Sequence, residues 1–143
     1  MGKAQLEELE KHGMYLSVPH GVSMWPMIRD RKDIIEIVKL KEAPKRYDLV
    51  MYTLPNLQGV IHRVLYKKGD VYVICGDNCF KKEYVSPENI HGIATRFYRN
   101  GKWYDVNNKW YLFYVHIWCD FCFLRRFILY CRYILKRIIR KLK

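Results

Sequence analysis

Hydrophobic and polar residues alternate along short segments between Met14 and Asn108, and turn-forming residues separate the segments. Alternation with a period of two is typical of strands that bury one face of a sheet. The predicted strands are Met14–Val18, Ile34–Leu40, Asp48–Leu54, Gly59–Lys67, Val71–Cys75 and Gly92–Tyr98. Pro, Gly, Asn and Asp between them supply the turns. The pattern therefore predicts a mostly β fold, a compact and largely antiparallel domain over residues 14–108.

Two flanking segments have helical patterns. Gly2 to Lys11 mixes acidic and basic side chains and predicts a short polar helix that ends near Gly13. In the C-terminal stretch, apolar residues recur every three or four positions and basic residues follow another face. The apolar set is Leu124, Phe127, Ile128, Cys131, Leu135, Ile138 and Leu142, and the basic set is Arg132, Lys136, Arg140 and Lys143. The predicted organisation is an N-terminal helix (1–13), the β domain (14–108) and an aromatic and basic amphipathic tail (109–143).

The positive charge of the chain is concentrated in this tail. The sequence has 26 Lys and Arg against 14 Asp and Glu, a formal net charge of +12. The run from Trp110 to Cys119 is aromatic and uncharged, and Arg125 to Lys143 contains many basic residues and no acid. Such a pair of segments is typical of an anchor in the plane of an anionic membrane. We therefore predict a peripheral membrane protein anchored through residues 110–143. The alternative is that the apolar face of the tail packs on the β domain.

Other partners and export are less favoured by the sequence. Basic residues near Tyr98, Trp103 and Tyr104 have the composition of a nucleic-acid surface, but such residues are ordinary on β surfaces, and we predict no nucleic-acid partner. Gly2 to Lys11 lacks the apolar core and cleavage site of a signal peptide, so no export by that route is expected. An apolar content of 50%, with 15% aromatic residues, excludes a wholly disordered chain.

The cysteines do not form the pattern of a disulfide framework. They are Cys75, Cys79, Cys119, Cys122 and Cys131, an odd number. The pair Cys119 and Cys122 has the spacing of half a zinc site, and only Cys131 and His116 are near enough in sequence to complete it. Apolar packing of reduced thiols is the favoured interpretation. We therefore predict no metal and no cofactor, and a location on the cytoplasmic face.

Candidate chemistry lies within the β domain. Ser23 lies in the segment Gly-Val-Ser-Met-Trp-Pro-Met, His62 lies in an alternating strand, and Asp77 follows Gly76 where a strand ends. A hydroxyl, an imidazole and a carboxylate are the groups that let serine attack an acyl carbon at neutral pH. The ends of strands are also where rigid scaffolds present such groups.

Four segments resemble, in the same order and at similar spacing, the type I signal peptidase family of serine peptidases, whose superfamily includes self-cleaving LexA-type repressors. Residues 23–27, Ser-Met-Trp-Pro-Met, are similar to its nucleophile box Ser-Met-x-Pro. Residues 47–52, Tyr-Asp-Leu-Val-Met-Tyr, are similar to its Gly-Asp-Val-Val strand. His-Arg-Val at 62–64 is similar to the archaeal and endoplasmic-reticulum branch, in which histidine replaces the lysine base. Gly-Asp-Asn at 76–78 is similar to the Gly-Asp-Asn box of the family. The resemblance as a whole spans residues 21–92.

The resemblance implies a signal-peptidase-like fold and roles for individual residues. Ser23 would be the nucleophile, His62 the base, and Asp77 the group that holds the imidazole, so Ser23 Oγ and Asp77 are expected on opposite sides of the ring. The nucleophile box comprises Gly21, Ser23, Met24 and Pro26. Many relatives carry a hydroxyl residue at the position of Gly21, so backbone N–H groups, including that of Ser23, are expected to bind the oxyanion.

A second acid is a further expectation. The histidine branch carries an acid six positions after the aspartate of its Gly-Asp-Asn box, and Glu83 stands there. Lys81 and Lys82 precede it, so a solvated charge cluster is the alternative. We predict a serine endopeptidase that cleaves a preprotein or leader peptide bound as an added strand. The alternative is a non-catalytic protein that keeps the fold to bind peptides or membranes. A self-cleaving repressor is less favoured, because no DNA-binding domain fits before Met14.

Overall fold

The alternating segments form one antiparallel sheet in the computed structural model, which describes residues 3–56 and 58–141. Within these residues the strands are β1 (Met14–Ser17), β2 (Ile34–Lys39), β3 (Leu49–Thr53), β4 (Gly59–Lys68), β5 (Val71–Cys75), β6 (Glu83–Val85), β7 (Ile90–Arg99) and β8 (Lys102–Asp105). The order across the sheet is β1-β2-β7-β3-β4-β5-β6, with β8 paired to β7. Every pairing is antiparallel. The predicted mostly β fold class is confirmed.

The predicted strands are all present, with ends that differ by at most two residues. Two further strands were absent from the prediction. Strand β6 has 3 residues and β8 has 4, and all four positions of β8 are exposed. A strand of three residues, and a strand without a buried face, have no detectable alternation of apolar and polar residues.

Two apolar clusters stabilise the sheet. The larger one lies beneath helix α1 (Lys3–His12), whose Leu9 is fully buried in it. Its sheet residues include Ile35, Ile37, Leu49, Met51, Ile61, Ala94 and Phe97. The second cluster contains Val50, Tyr52, Val64, Tyr72, Ile74, Val85 and Ile90. Positions 49 and 51 belong to one cluster and positions 50 and 52 to the other, as the alternation of a strand requires.

The aromatic segment of the tail forms its own helix, α2 (Lys109–Asp120). The Asn108 side chain caps this helix by accepting a hydrogen bond from the Trp110 N–H at 2.9 Å. Its buried residues, Tyr111, Val115 and Trp118, follow one helical face. Tyr111 and Val115 belong to the larger core cluster. The structure therefore differs from the expected separate tail, because residues 109–120 share the core of the β domain.

Helix α3 (Cys122–Lys141) follows after a turn at Phe121. Among its described side chains, Arg125 and Leu129 are buried, and most of the others are exposed. Three residues of the predicted helical patterns, Gly2, Leu142 and Lys143, lie outside the described residues, as do the side chains of Cys122 and Lys136. In the part of the chain that the structure describes, no helix has both the length and the apolar character required to cross a membrane.

Candidate active site

Ser23 lies at a turn in the loop that joins β1 to β2. The next residue, Met24, is buried in the core, and its carbonyl accepts a hydrogen bond from the N–H of buried Ile28 at 2.8 Å. The peptide bond between Trp25 and Pro26 is cis. Ser23 itself is only half-buried. The core therefore fixes the backbone on one side of the serine, while the serine remains accessible.

Gly21 permits the backbone conformation that precedes the serine. Its φ is +100°, in a region that side chains other than glycine rarely adopt. Its N–H donates to the Asp30 carboxylate at 2.8 Å. The backbone N–H groups of Ser23 and Met24 donate to no described residue. These two groups are available as donors to an oxyanion that forms beside Ser23.

His62 lies on β4 and is almost fully buried, with 6% of its surface exposed. Its Nδ1 atom lies 3.1 Å from Glu83 Oε2 and 2.9 Å from Tyr52 Oη. The Tyr52 hydroxyl also donates to the same Glu83 oxygen. In contrast, His62 Nε2 is buried and has no hydrogen-bond partner among the described residues. The ring is thus held at one nitrogen and left unpaired at the other.

Glu83 is the acid that the fold brings to this imidazole. It begins β6, which pairs with β5 so that Glu83 stands opposite Ile74. Burial raises the pKa of its carboxyl group. The alternative of a solvated cluster with its lysine neighbours does not describe this carboxylate, because it is half-buried against His62. The ammonium of Lys82 lies instead over the ring of Tyr66, 5.3 Å from its centre.

Asp77 forms no hydrogen bond with His62, so the prediction that it holds the imidazole is wrong. Its carboxylate accepts hydrogen bonds from Arg63 Nε at 2.8 Å and from Arg63 Nη2 at 2.7 Å. Tyr114 Oη of α2 donates to the same group at 3.2 Å. Consecutive side chains of a strand point to opposite faces, and the Asp77 carboxylate pairs with Arg63 on the face opposite His62.

The loop that contains Asp77 also contacts the backbone of the serine segment and lies beside the His62 ring. The Asn78 N–H donates to the Ser23 carbonyl at 2.7 Å, and Asn78 Nδ2 donates to the Val22 carbonyl at 2.8 Å. A Cβ atom placed on Gly76 would lie 2.7 Å from the Ser23 carbonyl oxygen and 3.0 Å from His62 Nε2. Gly76 therefore leaves the space in which the backbone of Ser23 and the free nitrogen of His62 approach each other.

Three of the predicted side chains line one cleft, although Ser23 Oγ forms no hydrogen bond with His62 Nε2 in this structure. Ser23, His62 and Glu83 line a cleft of about 260 Å³, and Asp77 does not. The other lining residues are Pro19, His20, Gly21, Met24, Ile28, Ile35, Leu54, Gln58, Gly59, Val60 and Ile61. Most of them are apolar or glycine, with a few polar side chains among them, as in sites that bind and orient a ligand.

The burial of His62 determines its protonation state. Burial lowers the pKa of His62 to about 4, and the nearby negative charge of Asp77 only partly opposes this effect. The ring is therefore neutral at pH 7. A neutral ring that donates from Nδ1 to Glu83 keeps a lone pair on Nε2. This is the protonation state that a general base requires.

Helix α3 contacts both loops of the cleft. Arg125 Nη2 donates to the Gly76 carbonyl at 2.7 Å. The guanidinium carbon of Arg132 lies 3.5 Å from the centre of the Trp25 ring, a cation–π contact. The sequence analysis missed these positioning contacts, because the basic residues of an amphipathic helix carry no signal of the loop that they face.

Tyr52 is a further residue that the sequence analysis missed. Val50 stands opposite His62 in the pairing of β3 with β4, so Tyr52 lies two positions along, on the same face. Diagonal neighbours of this kind are within reach of aromatic side chains. The pairing register of β3 with β4 places Tyr52 beside His62, and this register cannot be read from the composition of either strand.

Comparison with protein-family models finds no match to the chain, and comparison with curated proteins finds none either. The described cysteines Cys75, Cys79, Cys119 and Cys131 are free thiols. Across residues 3–56 and 58–141, no group of His, Cys, Asp and Glu has the arrangement of a metal site. The function is therefore argued from the geometry of the cleft.

Proposed function

We propose that this protein is a serine endopeptidase with Ser23 as nucleophile, His62 as general base and Glu83 as the acid that orients the base. The observation that supports this proposal most strongly is the pairing of His62. Its Nδ1 is bound by Glu83, while its buried Nε2 has no partner among the described residues and lies, like the Ser23 carbonyl oxygen, beside Gly76.

The reaction that fits this site is acyl transfer to serine followed by hydrolysis. Ser23 Oγ attacks the scissile carbonyl carbon as its proton moves to His62 Nε2, and Glu83 stabilises the resulting imidazolium. The N–H groups of Ser23 and Met24 stabilise the oxyanion. His62 then gives the proton to the departing amine, which leaves an ester on Ser23. Water, deprotonated by His62, attacks the ester and regenerates the hydroxyl.

The substrate that fits the cleft is an extended polypeptide. Strand β4 pairs with β3 along its first half, and its pairing with β5 begins only at Arg63. Gly59, Val60 and Ile61 thus have one free edge, and all three line the cleft. An extended segment of a preprotein or leader peptide is able to add here as a strand, with its scissile bond beside Ser23.

A non-catalytic peptide-binding protein is the second candidate, because the same free edge would bind a peptide without any chemistry. Covalent reaction at the serine separates the two functions. A fluorophosphonate probe reacts with serines that a neighbouring base activates, and it needs no knowledge of the natural substrate.

We expect the full-length protein to be labelled at Ser23, as identified by peptide mass spectrometry. Ser23→Ala and His62→Ala should each abolish labelling, because the two groups act as a unit. Ser86→Ala is a matched control, since Ser86 is half-buried and its side chain makes no capping hydrogen bond. It should leave labelling unchanged. A wild-type protein that stays unlabelled while folded would favour the binding function.

A further inference from the structure

We propose that the outward face of helix α3 docks the protein on anionic lipid membranes. The docking surface is an apolar stripe made of Phe123, Phe127, Tyr130, Ile134 and Ile138. These residues are spaced by three or four positions, so they follow one side of the helix. This inference concerns binding and is independent of the proposed catalysis.

The aromatic residues of the stripe are largely exposed to solvent. The exposed fractions are 70% for Phe123, 66% for Phe127 and 61% for Tyr130. At the start of the helix, the ring of Phe121 packs edge-on against Phe123, with 6.1 Å between ring centres. Neighbouring exposed apolar side chains of this size mark a site of association, and Ile134, within the stripe, is half-buried.

The opposite side of α3 fixes the direction in which the stripe points. Arg125 and Leu129 are buried against the rest of the protein, and Arg132 stacks on Trp25. The helix is therefore held on the body of the protein by its inner side. The stripe therefore points away from the sheet, so it does not pack on the β domain of the same chain.

Charge identifies the occupant as an anionic lipid surface. Exposed basic side chains flank the stripe at Arg126, Arg137, Arg140 and Lys141. No Asp or Glu occurs from Phe121 to the end of the sequence. A helix with an apolar side and basic flanks places the apolar side among acyl chains and the cations among headgroups.

The same charges argue against the other occupants. Two copies of the chain joined through this stripe would bring two acid-free, basic helices together, and like charges would repel. Nucleic acid is bound by cations at the centre of a surface, with aromatic rings between them. Here apolar residues make up the stripe, and the cations lie along one of its edges and, at Lys141, at its C-terminal end.

The test is flotation of the full-length protein with vesicles. Truncation of the tail is unsuitable, because α2 belongs to the core. We expect binding to phosphatidylcholine vesicles that contain about one third phosphatidylglycerol, weaker binding to pure phosphatidylcholine, and loss of binding as salt rises from about 0.1 M to about 1 M. Equal binding to both lipids, or no binding to either, would overturn the proposal.

Two variants test the two parts of the surface. Phe123→Asp/Phe127→Asp should weaken partitioning by more than about tenfold, because exposed aromatic area no longer enters the acyl region. Arg137→Gln/Arg140→Gln should weaken it by roughly thirtyfold at low salt. The matched control is Met14→Asp/Leu16→Asp, which changes two exposed apolar residues of β1 and the same net charge.

The control must retain binding, and all variants must keep the wild-type circular dichroism and melting temperature. If the control weakened vesicle binding as much as the stripe variants do, net charge alone would explain their effect, and this result would contradict a docking surface. Light scattering provides the second measurement. A dimer of the wild-type protein that Phe123→Asp/Phe127→Asp dissociates would assign the stripe to a second copy and overturn the proposal.

Discussion

His62 and Arg63 are neighbours on β4, and each pairs with a different acid in a different environment. His62 meets Glu83 at the wall of an open cleft, and one of its ring nitrogens has no partner among the described residues. Arg63 meets Asp77 in the interior, where both residues are fully buried. Two adjacent residues of β4 thus belong to two different kinds of charged pair, one in the cleft and one in the interior.

The difference lies in how fully each pair is satisfied. Beyond its two bonds to Asp77, Arg63 Nη1 donates to the Tyr47 carbonyl and to the Tyr111 hydroxyl. Its hydrogen bonds connect three parts of the fold, which is the arrangement of a structural ion pair. The histidine pair instead leaves an acceptor free in a cleft. A buried polar atom without a partner is costly.

The largest expected effect comes from breaking the interior pair. Asp77→Ala leaves the Arg63 guanidinium buried and uncompensated, which should lower the free energy of unfolding by about 3 to 5 kcal/mol. Chemical denaturation followed by circular dichroism measures this change. Asp70→Ala, in the exposed turn between β4 and β5, is the control and should stay within about 0.5 kcal/mol of wild type. An Asp77→Ala protein of unchanged stability would mean that the interior pair has no structural role.

The cleft pair should respond in the opposite way. Glu83→Gln keeps the shape of the side chain but removes the charge that, in the proposed mechanism, stabilises the imidazolium and selects its tautomer. We expect fluorophosphonate labelling of Ser23 to slow by roughly 10²- to 10⁴-fold, as for other acids in this role. The free energy of unfolding should change by less than about 1 kcal/mol, because Glu83 is half-buried. A variant that labels normally but unfolds easily would reverse the roles of the two acids.

The sequence predicted the longer strands well because their two faces differ. Strand β3 alternates between the two apolar clusters, and this difference is visible in the order of its residues. Helix α2 shows the limit of such patterns. Tyr111, Val115 and Trp118 form an apolar face, but periodicity does not say whether lipid or protein covers it, and here the β domain does.

The sequence pattern also does not show which of the two acids, Asp77 or Glu83, pairs with His62. Asp77 follows a glycine at a strand end, which is a common setting for an active-site group, and Glu83 follows two lysines, which is a common setting for a solvated one. What decides their partners is the register of β4, since Arg63 faces Asp77 and His62 faces the opposite side. Pairing register is a property of the assembled sheet, and a one-residue shift would exchange the two faces.

The smallest expected effect is the dependence of stability on the charge of His62. Burial lowers its pKa to about 4 in the folded protein, whereas the unfolded chain has the ordinary value near 6.5. As the pH falls through this interval the unfolded state binds the proton first, so stability is lost on acidification. The loss between pH 7 and pH 5 should be about 2 kcal/mol.

Glu83 opposes this change, because its raised pKa favours protonation in the folded state. The contribution of His62 is therefore isolated by comparing wild type with His62→Gln, in which no imidazole titrates at that position. We expect the wild-type protein to lose about 2 kcal/mol more than the variant between pH 7 and pH 5 in urea denaturation. The His62 ring resonances, assigned by their absence in the variant, should titrate with a midpoint near pH 4. Parallel stability curves, or a midpoint near 6.5, would show that the ring is charged at mildly acidic pH and that the cleft does not hold a neutral base.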